Sequence, residues 1–343
     1  MVTRIAINGF GRIGRLCLRE AIKRSDLEVV AVNSTGDPKT SAHLLKYDST
    51  HGIYDGEIKY TDNSLIIDGK EVKLLSDRDP SKMPWKDLKI DIVLEATGKF
   101  NSKEAASVHL EAGAKKVVIS APAKNADATI VMGVNEDSYD AEKHTIISNA
   151  SCTTNCLAPI VKVLHDNLTI KTGLMTTVHA FTNDQKNLDN RHKDLRRARG
   201  CVQSIIPTTT GAAAAVTLVI PELEGKLNGM ALRVPTPDVS LVDLVVEFEE
   251  KITKENINDL LKEASLTNMK NVMAYCDEPL VSIDFTGNPH STIIDALSTM
   301  VVGDYTAKII AWYDNEWGYS CRVIDLVSHV GQQLCSANAR LAV

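Results

Sequence analysis

Six residues near the start of the 343-residue chain, Gly9-Phe10-Gly11-Arg12-Ile13-Gly14, constrain the fold more than any other stretch. They follow the largely apolar run Arg4-Ile5-Ala6-Ile7-Asn8. They open a segment whose Leu16, Leu18, Ala21 and Ile22 carry helical spacing. A strand that turns into a helix through glycines spaced this way is the geometry of a dinucleotide-binding βαβ unit. Each glycine answers its own demand: a tight turn at Gly9, close backbone approach to a pyrophosphate at Gly11, and helix–strand contact at Gly14. A merely structural glycine turn is the competing reading, and the flanking strand and helix weigh against it.

The second strand of that unit is Leu27-Glu28-Val29-Val30-Ala31-Val32-Asn33, whose end is where a ribose is read. A fold that prefers NAD offers a carboxylate there to the adenosine 2′-hydroxyl. This chain has Ser34-Thr35-Gly36 instead. The missing carboxylate removes repulsion toward a 2′-phosphate, and two hydroxyls and an N–H are left as donors, so NADP or dual use is expected. The alternative is that Asp37, after a loop shift, reads the ribose. Further runs at 91–98 and 115–122 end in small or hydroxyl residues, with 103–112 reading as a crossover helix. Alternating strands and helices predict a doubly wound parallel sheet with its ligand beyond the strand C-termini, which places Thr97 and Ser120 on the cofactor side. Ordinary strand-end capping is the other role open to both. Arg78 is a loop cation that either approaches the adenosine half or stays solvated.

A thiol dominates the middle of the chain. Ser148-Asn149-Ala150-Ser151-Cys152-Thr153-Thr154-Asn155-Cys156 joins a β-branched run to the helix-patterned 157–164, so Cys152 falls at a strand-to-helix junction. Unpaired N–H groups and the helix dipole there favour a thiolate. The strand 171–180 delivers His179 at its end, completing the parts of an activated Cys–His pair. The Cys-x-x-x-Cys spacing with one distant histidine lacks the pattern of a zinc site, so no metal is expected. Residues 182–199 form a long polar loop holding Arg196, Arg197 and Arg199. Leu188 and Leu195 are expected to anchor it, with Asp189 and Asp194. Guanidinium forks suit phosphate, against the alternative of a solvated face. Pro207-Thr208-Thr209-Thr210-Gly211 opens a helix-prone alanine run and offers a second anion site.

The remainder predicts a second sheet: alternation over 239–247, a short preceding strand ended by Arg233, an amphipathic helix over 254–264, and strands at 281–284 and 308–313. A C-terminal helix carries Val323, Val327, Val330 and Leu334 on one stripe. This pattern is α+β. With 44% hydrophobic and 24% charged residues the chain is an ordinary globular one, long enough for about two domains. Its seven scattered cysteines favour a reducing compartment, and it holds no run of 18 apolar residues, so a cytoplasmic protein is expected. A net charge of −6 argues against nucleic acid or a membrane as main partner.

NGFGRIG, SNASCTTNCLAP, HAFTNDQ, DLRRAR, PTTTGAA, LRVPTP and WYDNEWGYS together resemble phosphorylating glyceraldehyde-3-phosphate dehydrogenase, over essentially the whole chain. The resemblance implies a Rossmann nucleotide domain from 1–151 and 316–343, with the C-terminal helix docked back, and a catalytic α+β domain from 152–315. It places the nucleophile on Cys152 and the base on His179. It puts the inorganic-phosphate site on Ser151, Thr153, Thr210, Gly211 and Arg197. The substrate-phosphate site falls on Thr182 and Arg233, with Asp184 shaping the pocket. Cofactor contacts fall on Arg12, Ile13, Arg78, Ser120 and Asn315, the last holding the nicotinamide carboxamide, and a homotetramer is implied. The implied reaction is oxidation of glyceraldehyde 3-phosphate to 1,3-bisphosphoglycerate, with a small-molecule substrate, inorganic phosphate and NADP or NAD.

Three departures from the family pattern stand out. Ser34 replaces the aspartate of the NAD enzymes, and Asn190-Arg191 replace a Leu-Pro pair that crowds a 2′-phosphate. These two are similar to the bacterial anabolic and photosynthetic branches; Arg191 would reach that phosphate across a subunit interface, or else stay solvated. Ala214 replaces a frequent lysine, with no consequence that the sequence explains. Erythrose-4-phosphate dehydrogenase shares the scaffold, and Asn288-Pro289-His290-Ser291 is similar to it. A non-catalytic redox-sensing or RNA-binding protein is the third reading.

Overall fold

The computed structural model describes residues 2–341; the last two positions of the expected C-terminal segment, 342 and 343, lie outside them. The chain forms two compact units: Met1–Ile130, Glu136–Ala150 and Ser320–Val343 make one, and Val131–Asn135 with Ser151–Tyr319 the other. The excursion Val131–Asn135, which the sequence division leaves in the nucleotide domain, belongs to the second. Gly133, at φ +85°, sits so close to Val272 and Met269 that a Cβ would meet them at 2.9 and 3.2 Å.

The first unit runs β1 (Thr3–Asn8), α1 (Arg12–Ala21), β2 (Leu27–Asn33), α2 (Pro38–Lys46), β3 (Tyr47–Asp48), β4 (Gly52–Ile53), β5 (Ile58–Tyr60), β6 (Ser64–Ile67), β7 (Lys70–Leu75), β8 (Ile92–Glu95), α3 (Lys103–Glu111), β9 (Lys116–Ile119), β10 (Ala128–Thr129) and β11 (Ile146–Ser148). Nine of these strands form one sheet in the order β10-β11-β9-β8-β1-β2-β7-β6-β5. It is parallel from β10 to β7 and antiparallel at β6 and β5. The fold is a Rossmann-type doubly wound sheet. Strands β8 and β9 are buried at every residue, the mark of a parallel sheet covered on both faces. The antiparallel edge and α2 had no counterpart in the sequence reading, because residues 38–75 mix short apolar runs with turn formers and show no sustained period.

The second unit runs α4 (Cys152–Leu168), β12 (Ile170–Ala180), β13 (Ile206–Thr209), α5 (Ala212–Val216), β14 (Leu227–Val234), β15 (Ser240–Phe248), α6 (Lys254–Leu266), β16 (Met273–Cys276), β17 (Thr292–Val302), β18 (Thr306–Tyr313) and the start of α7 (Trp317–Leu341). Its seven strands order as β13-β14-β12-β15-β18-β17-β16, mostly antiparallel. Helices α4 and α6 pack on the sheet, which buries alternate residues of β15. The expected strand at 281–284 is absent. Ser282–Phe285 is a single 3₁₀ turn, because the Asp284 carboxylate accepts from Val281 N at 2.9 Å and holds the chain curled.

One half-buried carboxylate fixes the start of the last strand of the first unit. Asp127 accepts from Thr145 N and Oγ1 at 2.8 Å, from Ile146 N at 2.9 Å and from Lys103 Nζ at 2.5 Å, pinning the start of β11. Burial pushes the Asp127 carboxyl up, but these donors outweigh it and hold it well below the usual range. A carboxyl with a lowered folded value contributes stability above its unfolded value and loses it as pH falls. Asp127→Asn is therefore expected to cost about 2–3 kcal/mol at neutral pH. Urea melts should show the cost shrinking below about pH 4; an undiminished cost in acid would refute this account.

Candidate active site

The separation of Cys152 and His179 in sequence follows from the lengths of two consecutive elements. Helix α4 carries the chain away from Cys152, its first residue, by about 25 Å at 1.5 Å per residue. Thr169, at φ 49°, reverses the chain in one residue, and His165 Nδ1 accepts from Ile170 N at 3.0 Å to close the turn. Strand β12 then returns, and at about 3.3 Å per residue it needs roughly eight residues to come level with Cys152 again. His179 stands there. Its Nε2 lies 3.5 Å from Cys152 Sγ.

Polar groups on all sides set the pair's state. His179 Nδ1 is 2.7 Å from Ala180 O and 2.9 Å from Arg233 Nη1, which also donates to Ala180 O at 3.0 Å. A nitrogen 2.7 Å from a carbonyl oxygen carries the hydrogen, so we place the ring proton on Nδ1 and leave Nε2 as the acceptor facing sulfur. Arg233 then acts on the ring through its charge and its bond to Ala180. Burial and the Arg233 cation lower His179 to about 3. Burial also raises the Cys152 thiol, opposed by Arg233 and by hydrogen bonds with Thr153. The residue as a whole is half-buried. Both shifts favour the neutral pair, S–H facing an imidazole, and oppose the thiolate that the helix end alone would favour.

Ser151 caps α4, its Oγ accepting from Thr154 N at 3.0 Å. Just upstream, Ala150 is buried at φ 56°, a conformation that costs a non-glycine residue about 1 kcal/mol. Thr153 Oγ1 lies 2.9 Å from Tyr313 OH, which is 2.8 Å from Thr177 Oγ1, and the Tyr313 ring meets His179 edge-on. Tyr313 escaped the sequence reading; its position at the end of an apolar strand gives no sign that its hydroxyl is buried in the site. Asn315 is also buried, its Oδ1 accepting from Ser240 Oγ at 2.7 Å, while that Oγ accepts from Ala180 N at 3.0 Å.

The basic loop divides. Arg197 turns inward, donating to Thr208 Oγ1, Asp184 Oδ2 and Thr209 O at 3.0, 2.7 and 3.2 Å. Arg199 pairs with Asp189 on the surface, and Arg191 and Arg196 are exposed. Leu188 and Leu195 are not anchors: they are 75% and 81% exposed. Ion pairs and the bond from Thr208 to Asp194 at 2.7 Å order this loop instead. The cations Arg233 and Arg197 both act on His179, and Asp184 acts on Arg233. Thr182 is half-buried on the same loop, and Thr210 Oγ1 accepts from Ala212 N beside Gly211.

A cavity of about 420 Å³ opens at the strand ends of the first unit, and Gly9, Gly11, Ser34, Thr35, Arg78 and Thr97 all line it. Gly9 has φ +104°, and a Cβ there would meet the backbone of Ala96 and Thr97 within 3 Å. A Cβ on Gly14 would stand 2.0 Å from Gly9 O. At Gly11 a Cβ would meet no protein atom within 4 Å, so the open side faces the cavity. Its charged lining residues are Arg15, Arg78, Lys99 and Asp77, three cations to one carboxylate. This lining fits a dinucleotide. Arg12, Ile13, Gly14 and Ser120 are not in the lining: Arg12 is clamped by Asp48 at 2.9 Å, and Ser120 Oγ donates to Glu95 O at 3.0 Å. Asp37 does not line it either; its side chain caps α2 by accepting from Thr40 N at 2.9 Å.

If burial outweighs the helix end at Cys152, alkylation by iodoacetamide should accelerate toward alkaline pH, with a midpoint above that of an ordinary thiol. Arg233→Gln should move the midpoint further up. A wild-type midpoint below the ordinary value would show that the helix end wins.

Residues 3–103 match the family described as glyceraldehyde 3-phosphate dehydrogenase, NAD binding domain, and residues 151–315 its C-terminal domain. The chain is 61% identical to glyceraldehyde-3-phosphate dehydrogenase 2 of Bacillus subtilis, over 97% of this chain and 98% of the relative. It is 58% identical to glyceraldehyde-3-phosphate dehydrogenase of Geobacillus stearothermophilus, over 97% and 99%. Dehydrogenase 1 of Bacillus subtilis is 56% identical, with the same coverage.

Proposed function

The chain belongs to the glyceraldehyde-3-phosphate dehydrogenase family, and from that premise we propose that it interconverts D-glyceraldehyde 3-phosphate and 1,3-bisphosphoglycerate through a thioester on Cys152, using inorganic phosphate and a nicotinamide dinucleotide. The observation that carries the proposal is the 3.5 Å contact between Cys152 Sγ and the acceptor nitrogen of His179.

His179 Nε2 takes the thiol proton as sulfur adds to the aldehyde carbon, and returns it to the oxygen, giving a thiohemiacetal. A bound nicotinamide supplies the acceptor for hydride. As the hydride leaves, Nε2 takes the hydroxyl proton and the thioester forms. Phosphate then attacks the thioester carbon and the Cys152 thiolate departs. An imidazole held to about 3 stays neutral across the working range, so it accepts protons without first having to shed one. Asn315 spends its carbonyl on Ser240, leaving its amide hydrogens for a nicotinamide carboxamide.

Two anions need two sets of donors. Arg233 Nε is buried without a partner, a donor that an anionic substrate oxygen would satisfy. We assign it and Thr182 to the substrate's phosphate, with Asp184 steadying the loop. Arg197, Ser151, Thr153, Thr210 and Gly211 take the attacking phosphate. In the first unit we assign the dinucleotide to the cavity's lining residues, with Arg12, Ile13, Gly14 and Ser120 shaping the turn and strand end behind them, and leave Asp37, which caps α2, out of the ribose site. NADP is therefore favoured over NAD, the protein working in the cytoplasm. The exposed Leu188 and Leu195, with Leu174, Met300 and Val302 at 67, 57 and 74% exposure on β12 and β17, favour a homotetramer, in which Arg191 would meet the 2′-phosphate of a neighbouring subunit's cofactor.

Turnover should require phosphate or arsenate; a rate that ignores both would favour hydrolysis, as on the erythrose-4-phosphate scaffold. Ser34→Asp should cut kcat/KM for NADP about 100-fold, the effect of a carboxylate set against a phosphate at an effective cost of roughly 3 kcal/mol, and change that for NAD far less. An unchanged cofactor ratio would mean that the 2′ position is read elsewhere.

A further inference from the structure

Glu95, the last residue of β8, is 1% exposed and pairs with no lysine or arginine among the described residues, yet it meets donors on every side. Asn8 Nδ2 donates to its Oε2 at 2.6 Å, and Thr97 donates to its Oε1 through N, at 2.7 Å, and through Oγ1. His109 Nε2 lies 3.0 Å from Oε2. The His109 tautomer follows from its other neighbour. Trp85 Nε1 is 3.2 Å from His109 Nδ1 and an indole nitrogen only donates, so Nδ1 accepts and the ring hydrogen sits on Nε2, toward Glu95.

From Glu95 the order passes outward. With its NH₂ turned to Glu95, Asn8 offers Oδ1 to Asn33 Nδ2 at 2.7 Å. Asn33 is thereby oriented to clamp one peptide twice, donating to Asp77 O at 2.8 Å and accepting from Asp77 N at 3.1 Å. Every side-chain amide in this series has a single allowed orientation, and the first member sets it. Asn8, Asn33, Asp77, Arg78 and Thr97 all line the cavity.

We infer that Glu95 is a positioning residue, whose carboxylate fixes the amides of Asn8 and Asn33 and through them the Asp77–Arg78 wall that receives the adenosine half of the dinucleotide. The inference rests on reading this cavity as the dinucleotide site. A glutamine at 95 can satisfy Thr97 with its oxygen, but its NH₂ then faces the hydrogens of both Asn8 and His109. Turning Asn8 to relieve this sets its NH₂ against that of Asn33, and turning Asn33 in response breaks the clamp on Asp77.

Glu95→Gln should weaken direct binding of the dinucleotide, measured by titration calorimetry, about tenfold, the consequence of one unsatisfied buried donor pair. kcat at saturation and KM for the aldehyde should stay near wild type. Without any ligand, the Asp77 amide should exchange its hydrogen faster. Adding Asn8→Asp to Glu95→Gln moves the acceptor one place along the series and should recover most of the lost affinity, which a purely structural role of Glu95 would not allow. If Glu95→Gln does not fold, Asn33→Ala tests the far end by the same binding and exchange measurements. Unchanged Asp77 exchange and unchanged affinity in the folded variant would overturn the inference, as would a double variant that recovers nothing. A wild type that binds no dinucleotide, yet whose Asp77 exchange still responds to Glu95→Gln, would overturn the reading of the cavity while leaving the series itself standing.

Discussion

A helix and a strand of matched length, joined by one residue, hold the chemistry of this protein together. The helix leaves from a sulfur and the strand comes back to it, and neither element alone says where the other's functional end will fall. Thr169 makes the match possible by reversing the chain in a left-handed conformation, and the cost of that conformation is offset by the apolar burial of α4 on the sheet it serves. Twelve of that helix's seventeen residues are buried, so the pair is fixed by the core rather than by the loop around it. The length match also explains why Pro159 is tolerated: it lies two turns into α4, where it can bend the helix without moving its first residue.

Burial then decides the protonation of what the match brings together. A thiol and an imidazole in contact can rest as S–H and N or as an ion pair, and the ion pair must be solvated by its surroundings. Here the nearest charges are both cations, Arg233 and Arg197. Both oppose an imidazolium, and Arg233 favours a thiolate, so what they give to one half of the ion pair they take from the other. They do favour anions arriving from outside. A site that is neutral at its reacting atoms and positive around them suits a substrate carrying phosphate and a second phosphate that must approach a thioester, because the charge stabilises what binds without consuming the proton acceptor.

The sequence made the skeleton of this arrangement legible wherever a residue's role depends on its neighbours in the chain. The glycine turn, the ends of β2 and β12 and the position of Cys152 at a helix start are all local facts. Roles that depend on a residue's partners in space were not legible. Tyr313 reads as one more aromatic on a strand, and its hydroxyl matters only because Thr153 and Thr177 come to either side of it. Leu188 and Leu195 look like anchors by composition but face outward, since ion pairs had already ordered their loop. Val281 and Ile283 have strand character by propensity, and a single aspartate bonding back to the backbone overrides it. Glu95 did leave a signal, a charge closing an apolar run, but its partners come from three separate elements: β1 far upstream, the turn that follows β8, and α3.

Two neighbouring residues at the end of β2 divide their work between the sheet and the cavity. Along a strand, neighbouring side chains point to opposite sides. Asn33 points into the buried series that begins at Glu95, and its loss would disturb every member. Ser34, the next residue, turns its hydroxyl onto Gly36 N at 3.1 Å and is joined to the sheet mainly through its backbone, with its N–H on Leu75 O at 2.8 Å. A carboxylate, a hydroxyl or a smaller group at 34 would leave that backbone bond in place. The side chain at 34 is thus one the rest of the unit does not need, and the side chain at 33 is one it cannot spare.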